Sequence, residues 1–275
     1  MDFFTYEDFK NNPVDGVYLG VPADEYRAFD AISRSDLLLC QKSLRQFKFS
    51  KDNPSPPTDA MIIGSAFHCL VLEPDEFYKR YAVAPQKIDR RTKAGKLAWS
   101  EFTIKNEGKH LLKYDVFQMI DGMKNSLLNN PVYNNMLVGG FSEVTVIGHI
   151  NGHRVKCMID KINLSGEVID IKSTDSAHHV DFTRSIFKYK YHMQEAFYRA
   201  VMRSVDLIPE RFLFVAIEKS KPHDVAHFEC EVPLLEKGEE NYMEYLKKLT
   251  KAKRLNEYSG YDDKTYKVNL KTNMW

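Results

Sequence analysis

From Glu143 onward, apolar and polar residues alternate with a period of two in three successive runs: EVTVIGHI (143–150), HRVKCMIDKIN (153–163) and EVIDIKS (167–173). That spacing is the mark of strands with distinct faces. Turn-forming residues separate the runs, Asn151-Gly152 first and Leu164-Ser165-Gly166 second, so a three-stranded meander is predicted. On either side the period becomes helical. AMIIGSAFHCLVLEP (60–74) puts Ile62, Ile63, Ala66, Phe67, Leu70 and Val71 on one stripe, with Thr58 or Asp59 as N-cap and Pro74 as its end. ISRSDLLLCQKSLRQFKF (32–49) reads as a further helix capped by Ser33 or Ser35. Residues from about Lys96 to Leu128 look mostly helical, and so do Phe182 to Met202. RFLFVAIEK (211–219) and HFECEV (227–232) read as two more strands, and LLEKGEENYMEYLKKLTKAKRL (234–255) as a C-terminal amphipathic helix.

The turns also fix a register. Asn-Gly favours a two-residue type I′ hairpin, which sets Val144 opposite Ile159, Val146 opposite Cys157 and Glu143 opposite Asp160. Gly166, as the left-handed last residue of a three-residue loop, sets Ile159 opposite Ile171 and Asp160 opposite Asp170. Both registers put Val144, Val146, Cys157, Ile159, Ile169 and Ile171 on one face, predicted to be the core face. Glu143, Asp160 and Asp170 then form a row on the other face, with Lys172 one step along. Like charges whose Cβ atoms are about 5 Å apart repel. A divalent cation removes the conflict, since carboxylate oxygens are the ligands that Mg²⁺ and Mn²⁺ prefer. With a lysine alongside, such a site suits phosphodiester hydrolysis. A solvated charged face in another register is the competing reading of the same residues.

Composition sets the limits. With 275 residues, 43% of them hydrophobic and 12% aromatic, the chain can build a sizeable core, as one large domain or two small ones. No basic-flanked apolar leader and no bilayer-length apolar run is present, so a soluble, cytosolic protein without a membrane partner is expected. Cys40, Cys69, Cys157 and Cys230 are far apart, which suggests buried small hydrophobes rather than a disulfide framework or metal cluster. The net charge of +1 makes no global case for nucleic acid, but basic residues cluster locally. Lys42, Arg45, Lys48 and Lys51 form one group, KIDRRTKAGK (87–96) a second, with Arg90, Arg91 and Lys93 at its centre, and KKLTKAKR, ending at Arg254, a third.

Asp160, nine intervening residues, then Asp170-Ile171-Lys172, all within a β-meander, matches the PD(D/E)xK nuclease core. Together with GSAFHCLVLEPDEF (64–77), DRRTKAGK (89–96), VKCMIDKI (155–162), VIDIKST (168–174) and KYKYHMQEAFY (188–198), the chain resembles the RecE-like, exonuclease VIII type, subgroup of the RecB-type nucleases. The resemblance covers most of residues 30 to 200. It implies an α/β fold with a restriction-endonuclease-like core, a mixed β-sheet flanked by helices in αβββαβ order. The whole chain, 1–275, is then a single exonuclease domain, with an N-terminal helical portion to about residue 135 and a catalytic core over about 136–256.

The resemblance further implies that His68, Asp160, Asp170 and the main-chain carbonyl of Ile171 hold Mg²⁺, with Mn²⁺ as a substitute, and that Lys172 is the catalytic lysine. Gln194 and Tyr198 fill the Q-x-x-x-Y motif and would position Lys172 or the scissile phosphate, or else simply pack. Glu143 is given an ancillary metal-side or water-side role from register alone. The ISRSD stretch suits a 5′-phosphate pocket, with Arg34 as the charge and Ser33 or Ser35 at a helix N-terminus; plain capping is the alternative for the serines. The implied activity is Mg²⁺-dependent 5′-to-3′ degradation of duplex DNA from its ends, leaving 3′ single-stranded tails for annealing recombination. Implied partners are double-stranded DNA ends, a ring-shaped homo-oligomer and a RecT-type annealing protein of phage or prophage origin, in the cytoplasm of a bacterial or phage-infected cell. A related endonuclease and a non-catalytic DNA-end-binding protein are the alternatives. Cys157 and Lys161 depart from the glycine and arginine common in RecB-type enzymes, and Lys161 must snorkel or pair on the core face.

Overall fold

The structure is a computed structural model that describes residues 3–86, 88–89 and 91–267. In chain order its elements begin with β1 (Phe3–Phe4), α1 (Tyr6–Asn11), β2 (Gly16–Tyr18), α2 (Ala23–Ala28), α3 (Arg34–Lys42), α4 (Leu44–Asp52), α5 (Asp59–Leu72) and α6 (Pro74–Arg80). Next come β3 (Tyr81–Val83), α7 (Lys93–Lys105), β4 (His110–Leu112), α8 (Tyr114–Leu128) and α9 (Pro131–Leu137). The meander is β5 (Phe141–Ile150), β6 (His153–Ile162) and β7 (Val168–Thr174). After it come α10 (His179–Lys188), α11 (Tyr191–Arg203), β8 (Phe212–Glu218), β9 (Val225–Phe228) and α12 (Val232–Leu255).

Local chemistry accounts for the helix limits. Thr58 accepts a hydrogen bond from Met61 N at the start of α5, and Pro74, which opens α6, prevents α5 from continuing. The helix predicted over 32–49 is two helices. Ser33 caps α3 in a reciprocal box with Asp36, whereas Ser43, fully extended at φ −171°, stops α3 and caps α4 through Gln46 N. The helical stretch predicted over 96–128 is interrupted by β4, which pairs in parallel with β3 as a separate two-stranded sheet. Lys190, left-handed at φ +56°, divides the predicted helix over 182–202 into α10 and α11. The N-terminal portion is not purely helical, because β2 pairs with β5 and carries β1 into the main sheet.

Among the described residues that sheet has seven strands in the order β1-β2-β5-β6-β7-β8-β9. It is mixed: β7 and β8 are parallel, joined through α10 and α11, while β5, β6 and β7 are antiparallel. The first hairpin has the predicted register, Val144 opposite Ile159 and Val146 opposite Cys157, with Asn151 and Gly152 both left-handed at φ +50° and +75°. The second hairpin starts in the predicted register but pairs only Ile162 with Val168 and Lys161 with Ile169.

The single predicted core face is corrected. Val144, Val146, Cys157 and Ile159 pack towards α3, α11 and α12, but Ile169 and Ile171 pack on the other side, with Phe67 and Leu70 of α5 and Ile120 of α8. Two features cause the swap. The ladder skips Glu143, which is left-handed at φ +49°, and Asp160 opposite it, so Ile159 and Ile162, three apart, lie in the same layer. A side-chain period of two means that one such irregularity exchanges the faces. Moreover, β7 is covered by helices on both sides, as strands in a parallel pair commonly are.

Candidate active site

Asp160 stands where β6 and β7 part. Its Oδ2 accepts the main-chain N–H of Ile171 at 2.7 Å, taking the place of the ladder bond that strand separation removes. The same oxygen faces His68 Nδ1 at 3.4 Å, and His68 projects from the middle of α5. Glu143, from the irregular step of β5, completes a group whose ligand atoms lie within 4.8 Å of one another: His68, Glu143 and Asp160. His68 and Glu143 line an open cleft of about 640 Å³, whose walls include Arg27, Arg80, Tyr81 and His110.

The electrostatics record a crowded site. Burial pushes the Glu143 carboxyl up, and Asp160 across the ladder pushes further, to about 8. Burial disfavours the His68 imidazolium, but Asp160 and Glu143 outweigh it and raise His68 to about 9. Asp160 is lowered despite its burial, held ionised by His68, Lys172 and the Ile171 N–H.

Asp170 and Lys172 reach the same split from the opposite layer. Val168, Asp170 and Lys172 sit beside Phe212, Phe214 and Ala216 of β8, whose side chains belong to the α11–α12 core. Lys172 Nζ is 2.5 Å from Asp170 Oδ1 and 4.9 Å from the centre of the Tyr191 ring. Gln194 donates to Asp170 Oδ2, so it positions the aspartate and not the lysine. Burial raises the Asp170 carboxyl, and Asp160 adds to the effect. Tyr198 packs edge-on against Phe212 in the same layer. The group whose ligand atoms converge within 4.8 Å is His68, Glu143 and Asp160, and Asp170 is engaged with Lys172 and Gln194 instead. Ile171 contributes its N–H to Asp160.

Tyr191 was missed. It lies three residues before Gln194, on the same helical face, which is the signal that could have found it.

The other expected residues are spread out. Arg34, near Asp170 and Tyr198, donates to the Tyr189 carbonyl and lies 5.9 Å from the Tyr191 ring centre, and burial lowers its guanidinium. Its Nε has no hydrogen-bond partner. Ser33 Oγ is engaged with Asp36, so its role is capping; Ser35 is exposed on the first turn of α3. Arg91 pairs with Asp89 at 3.0 Å, Lys93 is exposed at the start of α7, and Arg90 lies outside the described residues. The 42–51 cluster is partly neutralised, by Lys48–Asp52 at 2.8 Å and Lys51–Asp36 at 3.1 Å. Lys161 is buried and donates to Ser142 Oγ, and the four cysteines are buried and free.

A family model described as a PDDEXK-like domain of unknown function (DUF3799) matches residues 28–266. The chain belongs to this PDDEXK-like family. No curated protein matches the sequence. Among solved structures, a protein from Eubacterium rectale described as a "putative exonuclease" superposes with a TM-score of 0.63 at 13% identity, over 92% of this chain and 96% of its own. At that identity the likeness speaks for the fold. A second structure, SSO0001, gives a TM-score of 0.26 at 15% identity over 79% of this chain and 87% of its own, too loose a superposition to bear on the comparison.

PDDEXK nucleases generally use divalent metal ions, and the donors in this PDDEXK-like chain fit one. Two carboxylates and an imidazole converge with their oxygens and nitrogen within 4.8 Å, and the Glu143 carboxyl, pushed to about 8 by burial first and by Asp160 second, is one that a bound cation would return to its ionised form. His68, Glu143 and Asp160 are the residues that would hold it. Among the described residues no helix is long and apolar enough to cross a membrane.

Proposed function

We propose that this PDDEXK-like protein is a divalent-metal-dependent nuclease that degrades duplex DNA from its ends, 5′ to 3′, leaving 3′ single-stranded tails. One observation carries the reading. At the parting of β6 and β7, a cation-type donor set (His68, Glu143, Asp160) from one layer meets a carboxylate–ammonium pair (Asp170, Lys172) from the other.

A divalent cation, Mg²⁺ with Mn²⁺ as a substitute, would supply charge neutralisation at the phosphate and a more acidic bound water. The chain's own residues do the rest. Lys172 orients the attacking water and offsets charge building on the phosphate oxygens. Asp170, held by Gln194, fixes the ammonium in place, and Tyr191 backs it with its ring face. Tyr198 packs beside this group. Arg34, a half-buried guanidinium whose Nε has no partner, is the residue best suited to a 5′-phosphate, and Ser35 beside it is exposed and able to join. Arg90, Arg91 and Lys93 would contact the duplex backbone. A ring of identical subunits, a RecT-type annealing partner and the cytoplasm of a bacterial or phage-infected cell complete the proposal. Its support is the family resemblance, and a ring needs positive potential only along its lumen.

The test is digestion of 5′-phosphorylated linear duplex, labelled at either end of one strand, beside a covalently closed circle, with Mg²⁺ or Mn²⁺. Expected is loss of the 5′ label first and survival of the circle, with Lys172→Ala or Asp170→Ala slowed by at least about 10²–10³-fold. Cleavage of the circle at the same rate would make the enzyme an endonuclease. If wild type binds ends but leaves linear DNA intact with both ions, it is an end-binding protein.

A further inference from the structure

The corner between α10 and α11 keeps aromatic rings in solvent. Phe187 is 50% and Tyr189 47% exposed, and Lys188 and Lys190 alternate with them. Phe187 lies 5.7 Å from the His192 ring, and Tyr189 is braced from beneath. Tyr189 lies 5.6 Å from Tyr191 with planes 30° apart, Tyr191 stacks on Phe214 at 5.7 Å, and Phe182 lies 6.0 Å from Tyr191. The outermost ring is therefore the last leaf of an aromatic stack rooted in the core, ordered before any ligand arrives, which lowers the entropy lost on binding. The left-handed Lys190 turns the chain here, and the Tyr189 carbonyl is held by Arg34.

Position and charge indicate the occupant. Tyr191 has Tyr189 at one side and Lys172 Nζ 4.9 Å from its ring centre, so Tyr189 is one ring removed from the Asp170–Lys172 pair. Lys188 Nζ lies 5.2 Å from the centre of the Tyr189 ring, and Arg184, on the preceding turn, pairs with Asp181 at 3.0 Å. Flat apolar faces between cations match an unpaired nucleotide, whose base stacks while its phosphate meets the lysines. In a duplex those base faces are already taken up by neighbouring bases.

We propose that the Phe187–Tyr189 corner is a stacking platform for unpaired bases of the DNA strand that enters or leaves the Asp170–Lys172 site. The proposal rests on the nuclease reading for its purpose, but its test does not need cleavage. Full-length protein in EDTA is titrated, by fluorescence anisotropy, into short labelled oligothymidylate and into an abasic strand of the same length. Wild type is expected to prefer the strand that carries bases. Tyr189→Ala should weaken oligothymidylate binding about 5- to 100-fold, leave abasic-strand binding unchanged, and be rescued by Tyr189→Trp. The side chain is exposed and its carbonyl, the group that holds Arg34, is retained in both variants. Equal loss for both strands, no loss for either, or no preference for bases in wild type overturns the platform. A platform that behaves as expected in a protein that never cuts end-labelled duplex would sink the nuclease reading alone, and active protein with an indifferent Tyr189 would sink the platform alone.

Discussion

At Asp160 one carboxylate oxygen does two things: it accepts the Ile171 N–H and it faces His68. A cation seated among His68, Glu143 and Asp160 therefore depends on Glu143 as much as on Asp160. In calorimetric titrations with Mn²⁺, Asp160→Asn and Glu143→Gln should each weaken binding by more than the 10–100-fold that loss of an outer-shell partner costs. Unchanged affinity in Glu143→Gln would move the ion towards Asp170. A second residue tests burial away from the site. Glu195, wholly buried on α11, has Arg199 Nε 3.0 Å from one oxygen and the Cys230 thiol close by, and burial lifts its carboxyl to about 7. An unfolded glutamate titrates near 4.3. Between those values the folded state binds more protons than the unfolded one, so stability falls as pH rises through the window. Urea unfolding at pH 5 and pH 8 should show Glu195→Gln gaining on wild type with pH, by up to about 3 kcal/mol; a constant gap would mean that Glu195 stays ionised. The charged residues of VIDIKS stood out in the sequence as a pair inside an apolar run, but the single-face row that turn chemistry predicted for them with Asp160 does not form, since the ladder ends before Asp160 and Asp170 can pair. His68 was legible only through its motif, since a histidine on a helix carries no signal alone. The inward Gln194 bond to Asp170 and the Tyr191 ring against Lys172 are tertiary facts that no local pattern states.

Elements were legible where period and cap agreed, as in α5, and misjudged where backbone alone decided. Ser43 and Lys190 break helices by adopting conformations that their residue types do not advertise. The β6–β7 register was correct at its start, yet the faces could not be followed past Asp160, because a side chain replaces the backbone as hydrogen-bond acceptor there. Close approach between helices is equally hidden. A Cβ on Gly238 of α12 would stand 2.4 Å from the His192 carbonyl oxygen and 3.0 Å from the Ala196 side chain on α11. Gly238→Ala must push the two helices apart at a point close to Gln194. We expect a loss of about 1–3 kcal/mol in stability, seen as a lower Tm, together with reduced nuclease activity because Gln194 no longer holds Asp170 squarely. A variant with wild-type Tm and activity would mean that α12 yields without disturbing α11.

At the scale of the molecule, a sheet enclosed by two helical layers opens where β6 and β7 diverge, and the candidate site draws on both layers. This explains why two sets of charged groups can converge although each strand face is mostly core. One helix keeps apolar side chains in solvent. Helix α7 buries only Gly95, while Leu97 and Ile104, seven residues apart and so on one face, are 61% and 72% exposed. Exposed apolar side chains on one helical face suit a subunit contact, and the proposed ring gives them a place to go. Light scattering of wild type should therefore return a mass several times the 32.0 kDa of one chain. Leu97→Glu with Ile104→Glu should lower that mass while Tm, set by the two main cores, changes little. A single 32.0 kDa species for wild type at micromolar concentration would remove the ring, and the stripe would then need another partner.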